Sequence, residues 1–136
     1  MIQVDHIIKS FDGTQVLKGI STVFEKGKTN LIIGQSGSGK TVFLKCLLGL
    51  FQTDSGKILF ENKAISEMTV NERSVLRQEI GMVFQGSALF DSMTVEENIM
   101  FPMQMFTDKE NDEIRDRANE VIKRVNLISA NEKFPD

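Results

Sequence analysis

The sequence predicts an α/β fold in which a buried strand leads through a glycine-rich loop into a buried helix. The apolar run at residues 29–33 has the length of a strand and ends at Gly34. The segment that follows, at residues 34–41, reads GQSGSGKT. Residues 40–50 are then apolar on nearly all sides, which is typical of a buried helix. A strand, a loop, a helix and further strands in this order indicate an α/β architecture.

Two strands precede this unit. Residues 2–10 are rich in β-branched side chains and predict the first strand. Asp12 and Gly13 are a turn signal, and residues 17–24 alternate well enough for a second strand. The glycine in the segment at 25–27 predicts a turn before the apolar run.

The elements after the helix are shorter and more polar. We expect short strands at 57–60 and 80–84, a polar surface helix at 71–78 and a loop at 86–91. A helix at 94–100 is expected to stop before Pro102. Spacing of apolar residues by three and four predicts a surface helix at 108–125.

Composition excludes several classes of function. The chain has 136 residues, 40% of them hydrophobic and 26% charged, as in ordinary globular domains. The net charge of -3 gives no reason to expect nucleic acid or an anionic membrane as a direct partner. The single cysteine, Cys46, cannot form an internal disulfide, which fits a reducing compartment. No stretch approaches the roughly 18 apolar residues of a membrane span, so we expect a cytoplasmic protein or one held at a membrane by a partner.

The glycine-rich segment has the residue types that phosphate binding requires. Gly34, Gly39, Lys40 and Thr41 satisfy the pattern G-x-x-x-x-G-K-[ST]. Glycines let the loop turn its N–H groups inward, and the following helix directs its positive end at the same anions. The lysine supplies a cation to the outer phosphates and the threonine a hydroxyl to Mg²⁺. The predicted ligands are therefore ATP and Mg²⁺. The alternative is a glycine-rich turn that merely caps a helix, but the apolar strand and helix on either side favour the phosphate loop.

The segments GQSGSGKT, KCLLGLFQTDSGKILFENKAI and IGMVFQ together resemble the N-terminal half of the ATPase subunit of an ABC transporter. The resemblance covers essentially the whole chain. It implies a P-loop NTPase fold of the ABC ATPase type, with an antiparallel β subdomain, that is truncated before the signature motif. Residues 1–85 would form the β subdomain and P-loop core, and residues 86–136 the Q-loop and the start of the helical subdomain. The stretch FQGSALFDSMTVEENIMFPM resembles most the ATPases of bacterial phospholipid transporters of the lipid-asymmetry (Mla) type.

The same resemblance implies roles for particular residues. Phe11 would stack on adenine, where most relatives use tyrosine, and Val16 would pack against the adenine edge. The alternative for Phe11 is an aromatic residue of the core. Gln85 would contact Mg²⁺ or the attacking water, so Lys40 and Gln85 are the candidate catalytic residues. The nucleotide site would further include the loop residues Gly34, Gln35, Ser36, Gly37, Ser38, Gly39, Lys40, Thr41 and Val42.

Val42 departs from the family pattern, since relatives usually place Thr or Ser there to support the α-phosphate. Its backbone N–H can still contribute, so a modest loss of affinity is expected.

The resemblance also implies partners. A second ATPase subunit would complete a homodimer, and a membrane-embedded permease would bind residues 86–105. The chain would then lie at the inner face of the cell membrane without inserting into it, and it would bind no nucleic acid. Residues 86–105 carry much apolar surface, and the alternative is that they form a small local core under the helix at 108–125.

Several parts of the family's catalytic machinery do not occur in residues 1–136. These are the signature motif, the Walker B aspartate, the catalytic glutamate after it and the switch histidine. The one histidine of the sequence, His6, lies in the first strand, far from where a switch histidine belongs. We therefore expect this segment to bind ATP without turning it over. Two other interpretations are a P-loop module that only binds nucleotide and a small kinase. A kinase should have arginine-rich lids, whereas the arginines after the loop, which include Arg73, Arg77, Arg115 and Arg117, lie on polar helices.

The family fold predicts a difficulty for the sheet. The strands at 29–33 and 80–84 are not direct neighbours in it, because strands from later in the sequence lie between them. We expect these two strands to exchange between copies, to pair in a non-native way or to fold poorly. The antiparallel part, 2–24 with 57–60, should form best because all its strands are present.

Overall fold

The computed structural model describes residues 1–84, 86 and 88–135. They fall into two compact units, Met1–Met82 and Val83–Asp136. The first unit contains four strands, a 3₁₀ turn and two helices, and the second contains two helices. In chain order they are β1 (Ile2–Phe11), β2 (Thr14–Phe24), α1 (Lys40–Leu47), β3 (Ser55–Phe60), β4 (Lys63–Ala64), the 3₁₀ turn Ile65–Glu67, α2 (Val70–Glu79), α3 (Val95–Phe106) and α4 (Asn111–Arg124).

The four strands form one antiparallel sheet in the order β2-β1-β3-β4. A tight hairpin joins β1 to β2, and Asp12 and Gly13 at its tip have φ angles of 48° and 78°. Positive φ at both central residues matches the right-handed twist of the flanking strands. Val4, at the centre of the sheet, lies opposite Thr22 on β2 and Ile58 on β3. The predicted antiparallel strands are confirmed.

A bulge in β1 explains two glycines in neighbouring strands. His6 has a φ of 44°, and its N–H donates to Ser21 Oγ at 2.8 Å. A Cβ on Gly19 would lie 2.6 Å from the His6 ring, and one on Gly56 would lie 2.4 Å from the His6 carbonyl oxygen. The bulge therefore requires glycine at both positions. His6 has a structural role in the sheet.

The core of the first unit lies between the sheet and α1. Phe43, Cys46 and Leu47 on one face of α1 are buried, and burial raises the pKa of the Cys46 thiol. The core cluster comprises Val4, Ile7, Leu17, Phe43, Cys46, Leu47, Ile58 and Ile65. The prediction of a buried helix over 40–50 was wrong in its end and in part of its surface, since the helix ends at Leu47. Leu44 on the helix and Leu50 beyond it are 40% and 47% exposed, because the core covers only the face of the helix that carries Phe43, Cys46 and Leu47.

The expected strands at 29–33 and 80–84 do not form. Leu31, Ile33 and Val83 are 84%, 81% and 96% exposed, and both segments lack regular secondary structure. The prediction of these two strands was wrong, because the part of the chain that the structure describes offers them no neighbouring strand. An unpaired backbone group that is buried costs about 1–3 kcal/mol, so the lone segments stay in contact with solvent. The expectation that the antiparallel part forms is confirmed. The expected exchange of strands between copies, non-native pairing or poor folding of the two segments stays a prediction.

Helix α2 begins with a reciprocal cap. The Glu72 N–H donates to Thr69 Oγ1 at 3.2 Å, and the Thr69 N–H donates to Glu72 Oε2 at 2.9 Å. The hydrogen bond from Lys63, together with that from the Thr69 backbone, lowers the pKa of Glu72 to about 2. The predicted helix at 71–78 is confirmed with one more residue at each end.

In the second unit, α3 packs against α4 through Met100, Ile114 and Ala118. The predicted stop before Pro102 was wrong, because α3 continues to Phe106. Burial of Met100 and the partial burial of Met103 against α4 offset the backbone hydrogen bond that proline removes. Every helix among the described residues falls short of the length and hydrophobicity that a bilayer span requires.

Candidate phosphate-binding loop and nucleotide site

The loop at 34–39 runs directly into the first turn of α1. Gly39 is the N-cap residue with a left-handed φ of 93°, and its carbonyl accepts the N–H of Phe43 at 2.8 Å. Gly37, two residues earlier, is also left-handed, with a φ of 77°. Residues with a Cβ pay about 1–2 kcal/mol for this conformation, so glycine is needed at both positions.

Two close approaches fix the loop in place. A Cβ on Gly34 would lie 2.6 Å from Ser38 Oγ, so the loop closes tightly on itself. A Cβ on Gly39 would lie 3.0 Å from Val16 Cγ1 and 3.2 Å from Leu17 Cδ2. The end of the loop thus lies against β2, beside Val16. The expected place of Val16 at the adenine edge stays a prediction.

The side chain of Lys40 folds back over the loop. Its Nζ donates to the carbonyl oxygens of Gly34 and Gln35, each at 2.8 Å. The Ser38 N–H donates to the same Gln35 carbonyl at 3.2 Å. The ammonium group therefore lies at the loop and holds its two ends together.

The N-terminus of α1 adds further attraction for an anion. The first N–H groups of a helix have no partner within the helix, and they carry the positive end of its dipole. No acidic side chain lies in the first turn of α1, and Thr41 in that turn is exposed. Val42 is half-buried and packs against the core, so its backbone rather than its side chain is available to a ligand.

The donor set suits Mg²⁺ held through phosphate. Among the described residues, no group of three or more His, Cys, Asp or Glu side chains could hold a metal ion. Mg²⁺ keeps several waters and commonly takes few protein ligands together with substrate phosphates. The exposed hydroxyl of Thr41 at the phosphate loop fits that role. Gln85, the second expected ligand and a candidate catalytic residue, lies outside the described residues.

Phe11 lies at the end of β1, beside the hairpin, and is 38% exposed. Its ring meets the ring of Phe51 at a centroid distance of 5.4 Å, and Lys9 Nζ lies over it at 5.2 Å. Sequence reasoning overlooked Lys9 and Phe51. The spacing of two residues on a strand could have placed Lys9 on the same face as Phe11. The contact of Phe51 with Phe11 joins residues that are far apart in sequence, so spacing could not have predicted it.

Residues 86–105 in the second unit leave large apolar side chains in solvent. Leu89 and Phe90 are 52% and 48% exposed, although the Phe90 ring also touches Phe101 at a centroid distance of 4.9 Å. The side chain of Asn98 holds the preceding loop. It accepts the N–H of Phe90 at 2.8 Å and donates to the carbonyls of Phe90, Met93 and Thr94.

Comparison with known proteins places this geometry in a family. A family model described as ABC transporter matches residues 17–136. The chain is 35% identical over 134 residues to the probable ribonucleotide transport ATP-binding protein Mkl of Mycobacterium tuberculosis. The alignment covers 98% of this chain and 37% of that protein. The chain is also 36% identical over 136 residues to the arginine transport ATP-binding protein ArtM of Bacillus subtilis, in an alignment that covers 100% of this chain and 56% of that protein.

A solved structure agrees. The ATP-binding cassette MJ0796, in a dimeric post-hydrolysis state bound to ADP and Pi, matches with a TM-score of 0.89 and 25% identity, over 99% of this chain and 62% of that one. The chain thus spans between 37% and 62% of the length of these three proteins. The match over most of the chain confirms the predicted P-loop fold of the ABC ATPase type. The chain belongs to the ABC transporter family.

Proposed function

We propose that this chain binds MgATP at residues 34–42 and serves as the ATP-binding part of a transporter ATPase. The observation that carries the proposal is the folded phosphate loop, with left-handed Gly37 and Gly39 and the Lys40 ammonium on its backbone. This arrangement concentrates N–H donors and one cation at the N-terminus of a helix, which is a site for phosphate. Membership of the ABC transporter family supports ATP as the ligand.

Binding would exchange one set of partners for another. Phosphate oxygens would accept from the Lys40 ammonium in place of the Gly34 and Gln35 carbonyls, which lie 2.8 Å from it. The first N–H groups of α1, which have no partner within the helix, would donate to the same phosphates. Mg²⁺ would supply charge neutralisation at the outer phosphates, and the hydroxyl of Thr41 would be its protein ligand. Val42 lacks the hydroxyl of its relatives, which costs a modest part of the affinity.

The base would lie on Phe11, whose partly exposed ring ends β1. Stacking of a base on an aromatic ring is worth about 1–3 kcal/mol, or roughly 5- to 150-fold in affinity. Phe11→Ala should therefore weaken ATP binding, and Phe11→Tyr should preserve it. Equal affinity of the unaltered chain, Phe11→Ala and Phe11→Tyr for ATP would mean that Phe11 has only a structural role.

Turnover and assembly are further parts of the proposal. The solved cassette bound to ADP and Pi is a dimer. This supports a site completed by a second ATPase subunit, with Lys40 stabilising the transferred phosphoryl group and Gln85 orienting the attacking water. A rival function is a nucleotide-binding module without activity. Residues 1–136 should release no phosphate in a sustained way, and sustained hydrolysis that Lys40→Ala abolishes would contradict that expectation.

We place the permease contact at residues 86–105. Leu89 and Phe90 are about half exposed, and Asn98 orders the loop that carries Phe90. An apolar patch of this kind on an ordered loop suits a partner protein better than solvent. In the assembled transporter, cysteines at Leu89 or Phe90 should crosslink to the permease at the inner face of the membrane. A control cysteine at the polar, exposed Glu113 of α4 should not.

For the transported molecule we propose a phospholipid, on the resemblance of the stretch FQGSALFDSMTVEENIMFPM alone. The names of Mkl and ArtM refer to ribonucleotide and arginine transport, so those relatives give this choice no support. Phospholipid vesicles should stimulate ATP hydrolysis by the intact transporter. Stimulation by arginine or ribonucleotides, with none by phospholipid, would replace the cargo and leave the ATP site as proposed.

The ATP site is tested by calorimetric titration of MgATP into matched lysine variants. Hydrogen bonds to charged groups are worth about 1.5–3 kcal/mol, so Lys40→Ala should weaken binding roughly 10- to 150-fold. Lys26→Ala removes the same charge from an exposed turn and should bind as the unaltered chain does. If the two variants bind MgATP equally well, the loop is not the phosphate site.

A further inference from the structure

The Phe11 ring belongs to a cluster that links the end of β1 to the helix after the phosphate loop. We define this aromatic cluster as Phe11, Phe51, Lys9, Lys45 and Asp54. The two rings meet at a centroid distance of 5.4 Å with their planes at 66°, a T-shaped contact. Lys9 Nζ lies over the Phe11 ring at 5.2 Å, and Lys45 Nζ over the Phe51 ring at 5.1 Å. Edge contacts and cation–π contacts of this kind restrict where a ring can turn.

Asp54 fixes the lysine that lies over Phe11. Its carboxylate accepts from Lys9 Nζ at 2.8 Å and from the Ser10 N–H at 2.6 Å. The hydrogen bond from Lys9, followed by that from Ser10, lowers the pKa of Asp54. Because Lys9 is held in this way, its cation stays over the Phe11 ring. The exposed part of that ring is what remains for a ligand.

Phe51 is tied to α1, which begins at Lys40. The Phe51 N–H donates to the carbonyl of Lys45 at 3.1 Å, and the Lys45 side chain returns over the Phe51 ring. Phe51 therefore connects the ring at the end of β1 with the helix whose N-terminus forms the phosphate site. This connection spans the two places that an adenine nucleotide would touch.

We propose that Phe51 is a positioning residue for base recognition: it sets the orientation of the Phe11 ring relative to the phosphate loop. The inference rests on the proposed function, in which Phe11 stacks on adenine. Holding a ring in its bound orientation before the ligand arrives removes part of the entropy cost of binding. The contribution should appear only for ligands that carry a base.

The test compares two Phe→Leu variants in the full chain. Phe51 and Phe60 are both partly buried and pack against the same core cluster. Phe60 lies opposite Ile2, at the other end of β1 from Phe11. For each variant, calorimetry gives the affinity for MgATP and for magnesium tripolyphosphate, which has the phosphates without the base. The ratio of the two affinities measures the contribution of adenosine.

Phe51→Leu should lower this ratio about 2- to 10-fold, as expected for the loss of one aromatic pair. Phe60→Leu should leave the ratio unchanged, and Phe51→Tyr should restore it. If Phe11→Ala lowers the ratio and Phe51→Leu does not, the positioning role is wrong and the base site stands. If Phe11→Ala itself leaves the ratio unchanged, the base site is wrong and the positioning role fails with it.

Discussion

The phosphate loop and the segment before it meet at Gly34, yet they differ in what holds them. The loop closes on itself, with Gly34 packed against Ser38 and Lys40 bonded to the loop's own carbonyls. The segment at 29–33 is more apolar but forms no strand, and Leu31 is 84% exposed. These contacts within the loop join residues that lie within six positions of one another. A strand needs a neighbour from elsewhere in the chain, so its own sequence is not sufficient.

The largest effect should separate the core from this segment. Phe43→Ala removes a side chain that is 4% exposed, and truncations of this kind cost about 3–5 kcal/mol in the free energy of unfolding. Leu31→Ala removes an apolar side chain that is 84% exposed and should change that free energy by less than about 0.5 kcal/mol. Urea unfolding measures both. A cost for Leu31→Ala near that for Phe43→Ala would show that the segment is packed in solution.

A second test asks whether the loop before α3 behaves like the phosphate loop, held by its own residues. Asn98→Ala removes four hydrogen bonds between one side chain and residues 90–94, and leaving their partners unsatisfied should cost about 1–3 kcal/mol. The amide of Phe90 should then exchange its hydrogen faster. Gln104→Ala, an exposed change on the same helix, is the control and should leave that exchange rate alone. Unchanged protection of Phe90 in Asn98→Ala would mean that the loop is held by something else.

The cap of α2 gives a smaller effect, and one that depends on pH. Thr69→Ala should cost about 0.5–2 kcal/mol of stability through the lost cap. The pKa of Glu72 falls from 4.5 to about 2 on folding, so its stabilising effect is present above pH 4.5 and is lost as the pH falls toward 2. Glu72→Gln should therefore be less stable than the unaltered chain at neutral pH and approach it in acid. A stability difference that stays constant with pH would contradict this assignment.

The sequence predicts the conformation of the loop at 34–39 better than the strands at 29–33 and 80–84, for a physical reason. Gly37, Gly39 and Lys40 could be assigned from spacing because local backbone conformation decides what they do. The contact of Val16 with Gly39, and that of Phe51 with Phe11, join residues far apart in sequence and follow only from the fold. The helix through Pro102 was missed because burial of Met100 against α4 outweighs the local signal.

The central claim is that the local conformation of the loop creates the ATP site, and a matched pair of glycine variants tests it most directly. Gly37 and Gly27 have φ angles of 77° and 75°, and a Cβ would have free space at each. Alanine in this conformation costs about 1–2 kcal/mol at either position.

Calorimetric titration of MgATP should then separate the two variants. If the loop must hold this conformation to bind, Gly37→Ala should weaken MgATP binding roughly 5- to 30-fold, because the binding-competent loop becomes a minor state. Gly27→Ala should bind MgATP as the unaltered chain does. Unchanged affinity in Gly37→Ala, or an equal loss in both variants, would contradict the account.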